Sequence, residues 1–170
     1  VRPARFTHRM GRMLNPTPTT VYLRDYAPPP FLISKVELDI DIREDHAVVK
    51  ASLAISRNPR AADVDAPLSL DGEELELLSV SIDGRRLQTT DYDLDREHLR
   101  IAEVPDTFIF ETEVRIRPDE NTQLMGLYAS RDGYFTQCEA EGFRRITFFI
   151  DRPDVMSRYT TTIHAERDSC

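Results

Sequence analysis

The 170-residue chain has no aliphatic run near the length of a membrane-spanning helix; its apolar stretches are short, such as Phe148-Phe149-Ile150. The signature of a helix that crosses a bilayer is therefore missing, and no membrane partner is expected. Cysteine is scarce: Cys138 and Cys170 both lie in the last third. Two cysteines do not make a disulfide framework, so a reducing cytoplasm is the expected compartment. A basic field is also missing. The formal net charge is −8, the wrong sign for phosphate binding, which excludes nucleic acid as an expected partner.

Catalytic motifs are lacking too. The sequence contains no H-E-x-x-H, no G-x-S-x-G, no P-loop and no G-x-G-x-x-G. None of His8, His46, His98 and His164 has a neighbouring Cys or His at metal-ligand spacing. His46 and His98 fall in predicted turns and His164 on the polar side of a predicted strand, so all four read as structural or surface residues. Cys138 has no CxxC partner and reads as a quiet, half-buried thiol. On motifs alone the chain carries no complete catalytic apparatus and no metal site. It also has no amphipathic helix of three turns, no internal repeat and no low-complexity tract.

What is present is alternation. After a lead-in marked by Pro16, Pro18 and Pro28-Pro29-Pro30, apolar residues recur every second position. Val36, Leu38, Ile40 and Ile42 alternate with Glu37, Asp39, Asp41 and Arg43. Val49, Ala51, Leu53 and Ile55 follow the polar turn Glu44-Asp45-His46, predicting a hairpin with one buried face. Leu78, Val80 and Ile82 run into Asp83-Gly84, a strong two-residue turn signal. Tyr92 and Leu94, then Leu99 and Ile101, flank another turn. Phe108, Phe110, Val114 and Ile116 make a further strand, as do Tyr159, Thr161 and Ile163. Short strands at this spacing predict an all-β fold, an antiparallel sandwich or curved sheet. The acidic run 71–77, DGEELEL, reads as a solvated face.

Two regions depart from the pattern. Residues 1–24 hold Arg2, Arg5, Arg9, Arg12 and Arg24 and no acid; this is transit-peptide-like in composition, or an upstream extension with Met10 or Met13 as the native start. Residues 1–20 are therefore set apart as an irregular, tag-like segment. Residues 118–158 are long, polar in patches and rich in Gly and Asp. Loops longer than about 15 residues are uncommon in compact domains and are often functional. Within this one, Gln137, Glu139, Glu141, Arg144, Arg145, Asp151, Arg152 and Asp154 crowd around Gly142. They fit an ion-pair network that pins the loop to the sheet. That network is the first reading of these residue types; the alternative is a site for a cation, such as a ligand amine held by Glu139 or Glu141.

The stretch 121–163 resembles the amino-terminal domain of the bacterial aminopeptidase N family, zinc-dependent enzymes that remove amino-terminal residues from peptides. The matching motifs are Gly126-Leu127-Tyr128, Gln137-Cys138-Glu139, the turn Arg144-Arg145, and Asp151-Arg152-Pro153-Asp154, followed by a strand. Residues 22–42 and 66–84 are similar to the same family, so the resemblance covers about 22–170. The family's G-x-M-E-N, H-E-x-x-H and distal Glu ligand belong to its next domain and are absent. The resemblance thus implies the amino-terminal β domain, 21–170, of a multidomain enzyme, saddle-like in shape and incomplete at its C-terminal end. It implies zinc in the full-length enzyme but none bound by this fragment, which alone would be inactive. Its partners would be peptides with a free amino terminus and the downstream catalytic domain of the same chain. Glu139 would accept hydrogen bonds from the substrate's α-ammonium, and Gln137 would line the first specificity subsite. Glu141, Arg144, Arg145 and Asp151 would anchor the loop. Some relatives of this fold have lost peptidase activity, so a non-catalytic scaffold module is the alternative.

Overall fold

The computed structural model describes residues 22–23, 26–131 and 133–165. The segment 1–20, with His8, and the terminal Cys170 lie outside them. In chain order the strands are β1 (Phe31–Ile42), β2 (Ala47–Arg57), β3 (Leu68–Asp71), β4 (Glu76–Ile82), β5 (Arg85–Arg86), β6 (Asp93–Leu94), β7 (His98–Ile101), β8 (Thr107–Ile116), β9 (Gly126–Ser130), β10 (Gly133–Gln137) and β11 (Arg158–Ala165).

The alternating segments become strands because that spacing puts every apolar side chain on one face of a pleated ribbon. In β1, Val36, Leu38, Ile40 and Ile42 are buried while Glu37 is exposed. Ile33 is also buried, at odd spacing from Val36. A bulge between Ile33 and Lys35 accounts for this: it takes up one residue and restores the inward phase. The Asp83-Gly84 turn forms as its sequence demands, with both residues at positive φ (49° and 76°) between β4 and β5. His98 opens β7 rather than lying in the preceding turn.

Two layers share one core. The larger sheet has the order β11-β1-β2-β8-β4-β5, and the smaller is β3-β7-β6. Phe31, Leu53, Phe110 and Val114 of the larger sheet and Leu68, Leu70, Leu99 and Ile101 of the smaller are all buried in the same apolar cluster. The architecture is all-β, as expected, with one departure from a purely antiparallel arrangement. β11 joins the edge of the large sheet parallel to β1, from Lys35 opposite Arg158 to Ile42 opposite Ala165. Parallel pairing cannot be closed by a tight turn and needs a long connection, which residues 117–157 supply between β8 and β11.

That connection is more ordered than a loop. It contains the β9–β10 hairpin, a short 3-10 turn at Phe143–Arg145, and the buried run Ile146 to Ile150. The run docks on β3: Asp71 and Phe149 exchange backbone hydrogen bonds of 2.7 and 3.0 Å. On the opposite side, the buried hydroxyls of Thr112 and Thr147 lie 3.3 Å apart, joining β8 to the same run.

Candidate functional site

Gln137 ends β10, directly opposite Gly126 at the start of β9. The chain then reverses within five residues, and two glycines make the reversal possible. Gly142 fits under the turn because it has no side chain: a Cβ there would sit 2.6 Å from the Gln137 carbonyl oxygen and 2.9 Å from the Cys138 Cα. Gly126 has φ +75°, and its Cβ would sit 2.6 Å from that of Arg145. The Gly142 N–H donates to the Cys138 carbonyl at 2.9 Å, closing the loop. The Glu139–Ala140 peptide is cis, and Glu141 adopts φ 67°.

The base of this loop is held by ion pairs. Arg144 donates from its backbone N–H and from Nε to Asp151 Oδ2, each at 3.1 Å, and from Nη2 to the Asp151 carbonyl at 3.2 Å. Arg145 lies between Glu73 at 2.8 Å and Glu74 at 2.7 Å. Asp71 Oδ2 accepts from the Asp151 N–H at 3.0 Å. The acidic run 71–77 is therefore not merely a solvated face: three of its carboxylates tether the 144–151 segment, and Glu76 pairs with Arg115 at 2.8 Å. The signal was charge complementarity between two segments about seventy residues apart, which periodicity within either one does not reveal.

The next turn is tied down as well. Arg152 donates to Asp154 from Nε and Nη2 and to the Ala27 carbonyl, while the Tyr26 hydroxyl donates to Asp154 Oδ2 at 3.0 Å. The Arg152 hydrogen bonds hold the Asp154 carboxyl below the usual carboxylate range. Phe143 packs edge-on against Phe149 and Tyr159, with ring centroids 4.9 and 5.6 Å away. Cys138 is half-buried, and that burial, with the nearby Asp151 charge, pushes its thiol pKa up.

The two sequence candidates sit at the tip. Gln137 Nε2 donates to the Glu139 carbonyl oxygen at 3.0 Å, so the amide lies against the loop that carries Glu139. Among the described residues the Glu139 carboxylate makes neither a hydrogen bond nor an ion pair, and it is exposed. Glu141, two residues on, pairs with Arg144 at 3.7 Å. The arrangement offers one unengaged carboxylate on a loop fixed at its base, beside an amide. Such a group can receive a cation without first giving up a partner. No three His, Cys, Asp or Glu side chains among the described residues are grouped to hold a metal ion.

Residues 32–170 match the family described as Peptidase M1 N-terminal domain. The chain is 48% identical over 154 residues to aminopeptidase N of Caulobacter vibrioides, covering 91% of this chain and 18% of that protein. It is 41% identical over 150 residues to aminopeptidase N of Escherichia coli, covering 88% of this chain and 17% of the other. Among solved structures, Legionella pneumophila aminopeptidase A in complex with aspartic acid superposes with a TM-score of 0.80 at 32% identity, over 86% of this chain and 17% of that one. The chain thus spans under a fifth of the length of these relatives.

Proposed function

For a chain that belongs to the Peptidase M1 N-terminal domain family, we propose the role of amino-terminal domain, residues 21–170, in a zinc aminopeptidase that hydrolyses amino-terminal residues from peptides. The rest of the parent enzyme would hold the zinc and the reacting groups. This domain contributes a loop that measures the substrate's free end. Glu139 accepts hydrogen bonds from the α-ammonium, and Gln137 lines the subsite of the first residue. The sparing use of cysteine favours a cytoplasmic enzyme.

The observation that carries this reading is the contrast between neighbours. Among the described residues, Arg144, Arg145, Asp151, Arg152, Asp154 and Glu141 are all engaged in ion pairs, and Glu139 is not. An exopeptidase has to recognise a free amine at a set distance from the bond it cuts. A carboxylate on a pinned loop does so, because ammonium–carboxylate hydrogen bonds are charge-assisted and directional. A blocked or internal peptide presents no ammonium and forfeits the contact.

The test is steady-state kinetics of the full-length enzyme. Glu139→Gln keeps the shape and removes the charge. Hydrogen bonds to charged groups are worth roughly 1.5–3 kcal/mol, so kcat/KM should fall about ten- to a hundredfold. Glu141→Gln gives up only a 3.7 Å ion pair whose carboxylate is exposed, and should stay within a few fold. Near-normal kcat/KM in Glu139→Gln, with activity lost in a folded Glu141→Gln, would assign the amine to the other carboxylate.

A further inference from the structure

We infer that Tyr128 and Phe135 form the far wall of the first-residue subsite and set a preference for long apolar or aromatic amino-terminal residues. This rests on the reading of Glu139 as the amine's partner.

The hairpin register places Tyr128 directly opposite Phe135, and Gly126 opposite Gln137. Side chains two apart on a strand share a face. Gly126, Tyr128 and Ser130 of β9 therefore share one with Gly133, Phe135 and Gln137 of β10. The other face carries Leu127, which is buried, and Tyr134, which packs on the core. The hairpin is thus apolar on both sides, and the outward apolar group is a specific one. The Tyr128 and Phe135 rings stack with centroids 5.8 Å apart and planes inclined by 25°, yet Phe135 remains 51% exposed.

The place of this pair relative to Gln137 gives it a role. Phe135 lies two residues before Gln137, about 7 Å along the strand. The Phe135 ring leans away from Gln137: its Cε2 and Cζ atoms lie 3.6 and 3.7 Å from where a Gly133 Cβ would be. Arg145 packs over Gly126, beside Gln137, its Cβ 2.6 Å from where a Gly126 Cβ would be. The open strip therefore lies on the β10 side, between the exposed Gln137 and the exposed Phe135. A first residue whose ammonium rests at Glu139 extends its side chain over Gln137 along this strip. A methyl group stops short of the rings, whereas an isobutyl or benzyl group reaches them. The six residues of this face carry no charge, so nothing on it favours an acidic or basic first residue.

The experiment measures kcat/KM of the full-length enzyme on arylamides of phenylalanine, leucine and alanine. Phe135→Thr removes the ring and keeps a strand-forming residue at a half-exposed position; Tyr128→Thr is its companion. Each should lower the phenylalanine-to-alanine ratio of kcat/KM by roughly five- to tenfold, the scale of a lost aromatic contact, and the leucine-to-alanine ratio by less. Glu139→Gln, run in parallel, should lower all three substrates alike. If both threonine variants leave the ratios unchanged while Glu139→Gln lowers every rate, the wall is refuted and the amine contact stands. If Glu139→Gln changes nothing, the underlying reading fails and this inference with it.

Discussion

Two residues apart on the same tight loop, Glu139 and Glu141 carry the same chemistry in different electrostatic settings. Arg144, itself fixed by Asp151, engages Glu141, while the exposed Glu139 carboxylate has no partner among the described residues. Between Glu139 and Gln137 lies Cys138, whose side chain turns inward rather than joining them. Burial disfavours the charged thiolate, and the Asp151 carboxylate repels it, so its pKa is raised. A raised thiol pKa means less thiolate than a free cysteine has at every pH below it. With Cys170 replaced by serine, alkylation of Cys138 by iodoacetamide at pH 8 should be several-fold slower than that of free cysteine. The pH–rate profile should also be displaced upward. A rate equal to or above that of free cysteine would show an activated thiol instead.

At the scale of elements, what could be read from the sequence was the single-faced strands. Val36 to Ile42 and Phe108 to Ile116 announce themselves because one face is apolar and the other charged. β9 and β10 do not, since Leu127 and Tyr134 go inward while Tyr128 and Phe135 go outward. With apolar groups on both faces, the period of two vanishes and the segment reads as loop. The parallel seat of β11 was equally hidden, because alternation names a strand's buried face and not its neighbour. The position of Gln137 and Glu139 came from motif resemblance, whereas the tethers Glu73 and Glu74 belong to a distant segment whose charges looked solvated. The hairpin's seat on the rest of the fold depends on Gly126. Alanine there would have to hold φ +75° and also displace the Arg145 Cβ, 2.6 Å from its own. Gly84 has φ +76° with nothing within 4 Å. Gly84→Ala should therefore cost about 1 kcal/mol, the backbone penalty alone, and Gly126→Ala about 2–4 kcal/mol once overpacking is added. Denaturant unfolding of both variants checks the ordering; equal losses would show that the Gly126–Arg145 approach is not tight.

At the scale of the molecule, both sheets converge on one segment. Asp71 of β3 and Thr112 of β8 each hold the 144–151 run, and the loop with Glu139 leaves from its start. The tip is thus braced against two layers rather than hung from one strand. Such bracing suits a group that must stand at a fixed distance from chemistry performed elsewhere in a longer protein, and the chain spans 17–18% of its aminopeptidase N relatives. The most direct measurement is a cycle in the full-length enzyme that varies both the ligand's amine and the carboxylate proposed to meet it. Inhibition constants are determined for leucine and for its des-amino analogue, 4-methylpentanoate, with the wild-type enzyme and with Glu139→Gln. The account predicts that the wild type binds the amine form about ten- to a hundredfold more tightly, and that Glu139→Gln removes most of this advantage. An amine preference that survives intact in Glu139→Gln would contradict it.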